Sequence, residues 1–384
     1  MEEKTLQDIF IKILRCELTE TELDCSALEQ ITPDILSDLY SLANRHDLAH
    51  IVSSCLHKYE LLTDEKIKLK YTRQEIISVY RYEQMKRTYA QICDIFNRES
   101  IPYIPLKGSV VRQYYPKESM RTSCDIDILV KEENLDAAVN ALTQEGFRRV
   151  KKNYHDISLF SDTNIHLELH FSILESIDSL DSVLKSAWDF AVPTETSEYR
   201  FTQEFFIFHF FAHISYHFLS GGCGIKPLMD VWIIKHKMGL TYESASGLLE
   251  KAGIYRFAAE ISRLADICFD DKPEDEFSDT LISYISSGGV YGTQQNLIAI
   301  KKEETKSTLV YSMQRLFMSY KKMINIFPVL KKLPFLLPFC WIIRFFNMLR
   351  AGKITNSFAE IKTANSVSDG EIERIKQMKK KLGL

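Results

Sequence analysis

The sequence predicts an α+β protein, a small mixed β-sheet in the middle of the chain flanked by helical N-terminal and C-terminal regions. Three observations carry this reading. Residues 1–100 follow helical spacing almost throughout. Between 101 and 171, short apolar runs alternate with turns in the manner of strands. From 202 onward the helical spacing returns. The implied organisation is a helical region over 1–100, an α/β core over 101–200, a helical domain over 201–300 and a basic, partly apolar helical arm over 301–384.

In the N-terminal region Thr32 is placed to cap a helix with Pro33 at its first position, and Ile35, Leu36, Leu39 and Leu42 recur on one face. A longer helix is expected from about Glu75 to Asn97. His46, His50 and His57 are spaced to share a face and are read as solvated or capping groups.

At Ile101 the texture changes. IPYIPLKG is short, apolar and proline-containing, which suits a strand better than a helix interior. After Lys107 and Gly108, Ser109 can cap two helical turns ending before Pro116, and such an N-terminus suits a phosphate. DIDILV then reads as a strand, and Asn134 to Gly146 as an amphipathic helix stopped by glycine. FRRVKK, DISLFS and IHLELHF read as three more strands. In the last, His166, Glu168 and His170 alternate with Leu167 and Leu169 and so share a face.

Asp125 and Asp127 also fall on one face of their strand, roughly 7 Å apart at Cα. Paired carboxylates repel, and a divalent cation between them relieves the repulsion. Oxygen donors of this kind suit Mg²⁺. Glu168 is a candidate third carboxylate, with a solvent-facing polar residue on an edge strand as the plainer reading.

Beyond 202, His209, His213 and His217 form a stripe at successive i, i+4 positions among aromatic residues, read as a polar seam or, in a third functional reading, as the ligands of a metal hydrolase. Gly221 to Gly224 break the helix there. Lys226 and Asp230, four apart, can face the same way.

The net charge is −4, which argues against a protein coated in nucleic acid. It is unevenly spread. Residues 301–353 hold eleven Lys or Arg against only Glu303 and Glu304, about +9, which leaves about −13 on the remainder. Within this arm, LPFLLPFCWIIRFFNML at 333–349 is apolar but shorter than the ~20 residues a span requires. A helical hairpin packed on the core, a membrane-surface helix and a polyanion contact all fit it. The tail from 354 reads as a loose polar helix. Eight scattered cysteines without a CxxC pair, and an N-terminus lacking a basic and apolar leader, point to a reducing cytoplasm.

LKGS, Arg121, DIDILV, LELHF and then HISYHF with GIKPLMD together resemble the nucleotidyltransferase fold of the polymerase-β type, and more narrowly a bacterial group of uncharacterised nucleotidyltransferase-family proteins. The resemblance covers roughly residues 30–350. It implies an enzyme that moves a nucleoside monophosphate from an NTP, ATP by expectation, to a hydroxyl acceptor that is a small molecule, a protein side chain or a tRNA end. In that reading Asp125, Asp127 and Glu168 hold Mg²⁺ and carry catalysis, and Gly108 with Ser109 holds the phosphates. Lys107, Arg121 and Lys226 offset phosphate charge, His170 orients Glu168 or touches the base, and Asp230 joins the nucleotide-binding set. The plainer partners are Asp125 for Arg121 and Asp230 for Lys226. A protein that keeps the fold for binding or assembly without catalysis is the alternative.

Overall fold

The computed structural model describes residues 3–290, 292–305, 317–350 and 367–384. They form two compact units, one made of 1–216, 223–290 and 383–384, the other of 217–222 and 291–382.

The first unit opens with helices α1 (Glu3–Thr19), α2 (Cys25–Gln30), α3 (Leu36–Arg45), α4 (Ala49–Lys58) and α5 (Glu65–Arg98). Two boundaries differ from expectation. α3 begins at Leu36 and not at Pro33: Thr32 to Ile35 close a turn in which the Ile35 N–H donates to the Thr32 carbonyl, so Thr32 caps nothing. α5 begins ten residues before Glu75, because Asp64 accepts a hydrogen bond from the Ile67 N–H and starts the helix there. His46 and His50 are buried, not solvated; their Nε2 atoms meet the carbonyls of Ser286 and Met120.

The sheet is five-stranded and mixed, in the order β1-β2-β5-β4-β3, built from β1 (Tyr103–Pro105), β2 (Asp125–Val130), β3 (Arg148–Lys152), β4 (Asp156–Phe160) and β5 (His166–His170). β2 pairs with β5 in parallel; the other pairings are antiparallel. Ile126, Ile128 and Val130 of β2 and Leu167 and Leu169 of β5 are buried on one face. There they pack with Ile92, Ile95 and Phe96 of α5 and with Leu135, Ala138 and Leu142 of α7 (Leu135–Gln144). Full burial of each such side chain stabilises by roughly 1.5–3 kcal/mol, which fixes the register: a slip by one residue would turn every carboxylate into the core. The opposite face therefore carries Asp125, Asp127, His166, Glu168 and His170.

Between β1 and β2 lie α6 (Gly108–Val111) and two 3₁₀ turns, and α8 (Asp178–Leu184) follows β5. α6 is a single turn, and its cap is Lys107, not Ser109. A two-stranded ribbon, β6 (Ala191–Pro193) and β7 (Tyr199–Phe201), leads into α9 (Gln203–Leu219). α10 (Lys226–Lys237), α11 (Ser246–Lys251), α12 (Tyr255–Phe269) and α13 (Glu276–Gly288) complete the helical part of this unit.

The second unit contains α14 (Gln294–Thr305), α15 (Tyr320–Ile326), α16 (Leu337–Arg350) and α17 (Asp369–Leu382). Helix is thus present in the arm and in the tail; positions 306–316 and 351–366 of those stretches lie outside the described residues. No described helix is long and apolar enough to cross a membrane.

Candidate active site

Side-by-side strands bring the acids together. In the parallel register Asp127 stands opposite Glu168 and Asp125 opposite His166. Since the odd positions of β2 and the even positions of β5 point away from the core, three carboxylates separated by forty residues of chain converge on one patch. Two overlapping groups, Asp125 with His166 and Glu168, and Asp127 with Glu168 and His170, each have potential ligand atoms within 4.8 Å of one another. Carboxylate oxygens in that number and spacing fit a hard divalent cation.

Cationic side chains of the protein meet the same carboxylates. His170 Nε2 lies 2.9 Å from Asp127 Oδ1 and 3.5 Å from Glu168 Oε2. Lys107 Nζ lies 3.7 Å from the same Asp127 oxygen. Burial by itself raises the Asp127 pKa, but the Lys107 ammonium and the His170 hydrogen bond outweigh it and hold this carboxyl below its usual range. For Asp125 the charges of Lys107 and His170 act in the same direction but are outweighed. Its burial, and then the charges of Asp127 and Glu168, push it up to about 7. For His170, burial favours the neutral ring, yet the hydrogen bonds to Asp127 and Glu168 prevail and lift it to about 9. The face therefore combines an aspartate held toward its ionised form, an aspartate pushed by burial toward its protonated form and a histidine favoured as the cation between two acids, while the His170 Nδ1 is buried without a hydrogen-bond partner.

Lys107 owes its position to an unusual backbone. With φ 46° and ψ −115° it sits in a region that non-glycine residues avoid. This turn ends the run from β1 and aims the ammonium at the acidic face. Gly108 is buried just after it. A Cβ there would lie 3.5 Å from the Arg121 guanidinium, an ordinary contact, so space alone does not require glycine. The Ser109 N–H is already bonded to the Leu106 carbonyl, so it is not among the free donors expected of this turn.

Arg121 and Lys226 take partners that the sequence reading did not assign. Arg121 Nε is 2.8 Å from Asp230 Oδ1, and the Tyr115 hydroxyl donates to that same oxygen at 2.6 Å. Lys226 Nζ is 2.8 Å from Asp47 Oδ2 and 2.9 Å from Thr122 Oγ1. Asp230 is thus a buried anchor, 2% exposed, at the base of the loop that carries Arg121. Lys226 ties the same loop, through Thr122, to the turn after α3.

Apart from His209 and His213 of the histidine stripe, the other residues of this neighbourhood carried no distinctive signal. Asp47 and Thr122 are ordinary turn residues in the sequence. Glu175 follows β5, accepts from His213 Nδ1 at 2.9 Å and is raised to about 7, chiefly by burial. His155 stacks on His170 with ring centroids 5.6 Å apart. His209 is buried and held neutral, lowered to about 3 by burial. Among the described residues no metal-type cluster forms on the stripe of His209, His213 and His217.

A family model described as an uncharacterised nucleotidyltransferase matches residues 35–270, well over half of the chain and including every residue of this site. The chain belongs to the uncharacterised nucleotidyltransferase family. Membership implies a nucleotide substrate, and nucleotidyltransferases typically use divalent metals. No curated protein and no solved structure matches the chain. The family match runs from the residue before α3 to the residue after α12, so it takes in the whole sheet, the turn that supplies Asp47 and the helix that supplies Lys226 and Asp230.

Proposed function

We propose that the protein transfers a nucleoside monophosphate from an NTP to a hydroxyl acceptor, with Mg²⁺ held by Asp125, Asp127 and Glu168. The observation that carries this reading is the cross-strand pairing of Asp127 with Glu168 beside Asp125, which supplies three oxygen donors on one face within reach of one another. When bound, the metal neutralises triphosphate charge and acidifies an attacking hydroxyl.

The chain's own residues divide the remaining work. Lys107, already directed at the acidic face, meets phosphate charge as the nucleotide enters. Gly108 and the partly exposed Ser109 hydroxyl form the floor against which the phosphates rest. Arg121 is kept at that floor by Asp230 and Tyr115, and Lys226 holds the adjoining loop through Thr122 and Asp47. His170 orients Glu168 and Asp127. Burial and the neighbouring carboxylates push the Asp125 carboxyl toward its protonated form, so this residue would have to give up a proton to serve as a ligand.

Isothermal titration of Mg²⁺ with each NTP into the wild type and into Asp125→Asn and Asp127→Asn tests the assignment. The reading requires Mg²⁺-dependent NTP binding that both variants lose. Binding that is unaffected by either substitution, or no binding of any NTP, would refute it.

A further inference from the structure

Among the described residues, nothing covers one apolar face of α16. Phe339, Ile342, Ile343 and Phe346 recur at helical spacing and are 49–62% exposed, and Phe335 in the turn before the helix is 69% exposed. The other side of α16 is packed: Cys340 joins Met323 and Leu330 in a small core, with Leu337 and Trp341 against it. A helix that already has its own core on one side and still shows four large apolar residues on the other exposes an apolar patch of the kind that marks an interaction surface.

The charge around this face selects its partner. Between 317 and 350 the chain carries six basic residues, Lys321, Lys322, Lys331, Lys332, Arg344 and Arg350, and no Asp or Glu. Lys331 and Lys332 are exposed in the turn that precedes Phe335. Exposed aromatic and aliphatic side chains next to exposed lysines, in a stretch of sequence from 317 to 350 that holds no acid, match the interface of an anionic bilayer, where rings enter the headgroup boundary and ammonium groups meet lipid phosphates. Fourteen residues of α16 reach about 21 Å, short of the ~30 Å hydrocarbon core, so the helix lies in the surface and does not cross it.

We propose that α16 and the turn before it form a monotopic docking surface for anionic lipid bilayers, inserting Phe335, Phe339, Ile342 and Phe346 while Lys331 and Lys332 engage the headgroups.

The test is co-sedimentation of the full chain with vesicles of phosphatidylcholine alone and of equal parts phosphatidylcholine and phosphatidylserine, with light scattering of the protein by itself. The expected result is binding to the anionic vesicles, weakened by salt and little binding to the neutral ones. Lys331→Glu with Lys332→Glu should weaken it about tenfold or more, and Phe339→Ser with Phe346→Ser should abolish it. These side chains are exposed, so both variants should keep the wild-type circular dichroism spectrum and melting curve. Failure of the wild type to bind anionic vesicles overturns the proposal. So does equal binding to both vesicle types, or binding that survives both pairs of substitutions. A dimer in light scattering that the Phe339→Ser, Phe346→Ser variant loses, without vesicle binding, would assign the face to a second copy of the chain instead.

Discussion

His170 on β5 reaches across to β2 and places its Nε2 2.9 Å from Oδ1 of Asp127. Because Glu168 Oε2 lies 3.5 Å from the same nitrogen, one ring spans two facing carboxylates and adds to the counter-charge that Lys107 supplies to Asp127. Without metal, the imidazolium does electrostatically what a bound cation would do.

Replacing this ring should therefore cost stability chiefly in the absence of metal. His170→Ala is expected to destabilise the metal-free protein by about 2 kcal/mol, the scale of a charge-assisted hydrogen bond. Added Mg²⁺ should recover a larger share of the melting temperature in the variant than in the wild type. Thermal melts with and without Mg²⁺ check this, and identical Mg²⁺ responses would contradict it.

The buried pair Arg121–Asp230 makes a second prediction. Asp230→Asn leaves the guanidinium buried without its counter-ion and the Tyr115 hydroxyl with a weaker acceptor, a change expected to cost about 3–5 kcal/mol. Asp230→Leu combined with Arg121→Met should cost less than either single substitution. Urea unfolding of the three variants measures it; additive losses would show that the two side chains are not coupled.

Gly108→Ala separates folding from function. The added methyl meets Arg121 only at 3.5 Å, so stability should stay within about 1 kcal/mol of wild type, helped by alanine's better helix propensity. NTP affinity should fall, since the methyl occupies the surface against which phosphate is proposed to rest. Unfolding curves and nucleotide titration on the same sample decide between a structural glycine and a binding one.

Acid sensitivity follows from two histidines far from the carboxylates. Burial lowers His46 and His50 to about 4. His46 is engaged on both nitrogens, with Nε2 donating to the Ser286 carbonyl and Nδ1 accepting from the Ile225 N–H. A histidine with a folded pKa below its unfolded value of about 6.5 contributes its full stability above pH 6.5 and loses it as pH falls toward 4, at up to about 1.4 kcal/mol per unit each. Unfolding free energies at pH 7 and pH 5 should diverge in the wild type and differ less when both are replaced by glutamine, with His209 supplying part of the slope that remains. An unchanged slope in the double variant would contradict the assignment.

The sheet and its acidic face were legible because they rest on a local, period-two rule. Once DIDILV and HLELH are strands, Asp125, Asp127 and Glu168 must share the polar face, and the register then sets Asp127 opposite Glu168. Long-range polar pairing was not legible. Arg121 finds Asp230 across 109 positions and Lys226 finds Asp47 across 179, where spacing carries no information. The histidines at the end of α3 and in α4 were only partly legible for a related reason: His46 does stand at the C-cap of α3, but it and His50 are buried and meet carbonyls of Ser286 and Met120, which only the folded chain brings near. Ser109 looked like a helix cap by residue type, but the cap is Lys107, two residues earlier.

The central claim is that the three carboxylates on β2 and β5 drive nucleotide transfer. Its most direct test is release of pyrophosphate from each NTP with Mg²⁺ and separate small-molecule, protein and tRNA acceptor fractions, comparing the wild type with Asp127→Asn. The account predicts acceptor- and Mg²⁺-dependent release by the wild type, lowered at least about a hundredfold in the variant. Release that Asp127→Asn leaves intact, or no release from any NTP with any fraction, would contradict it.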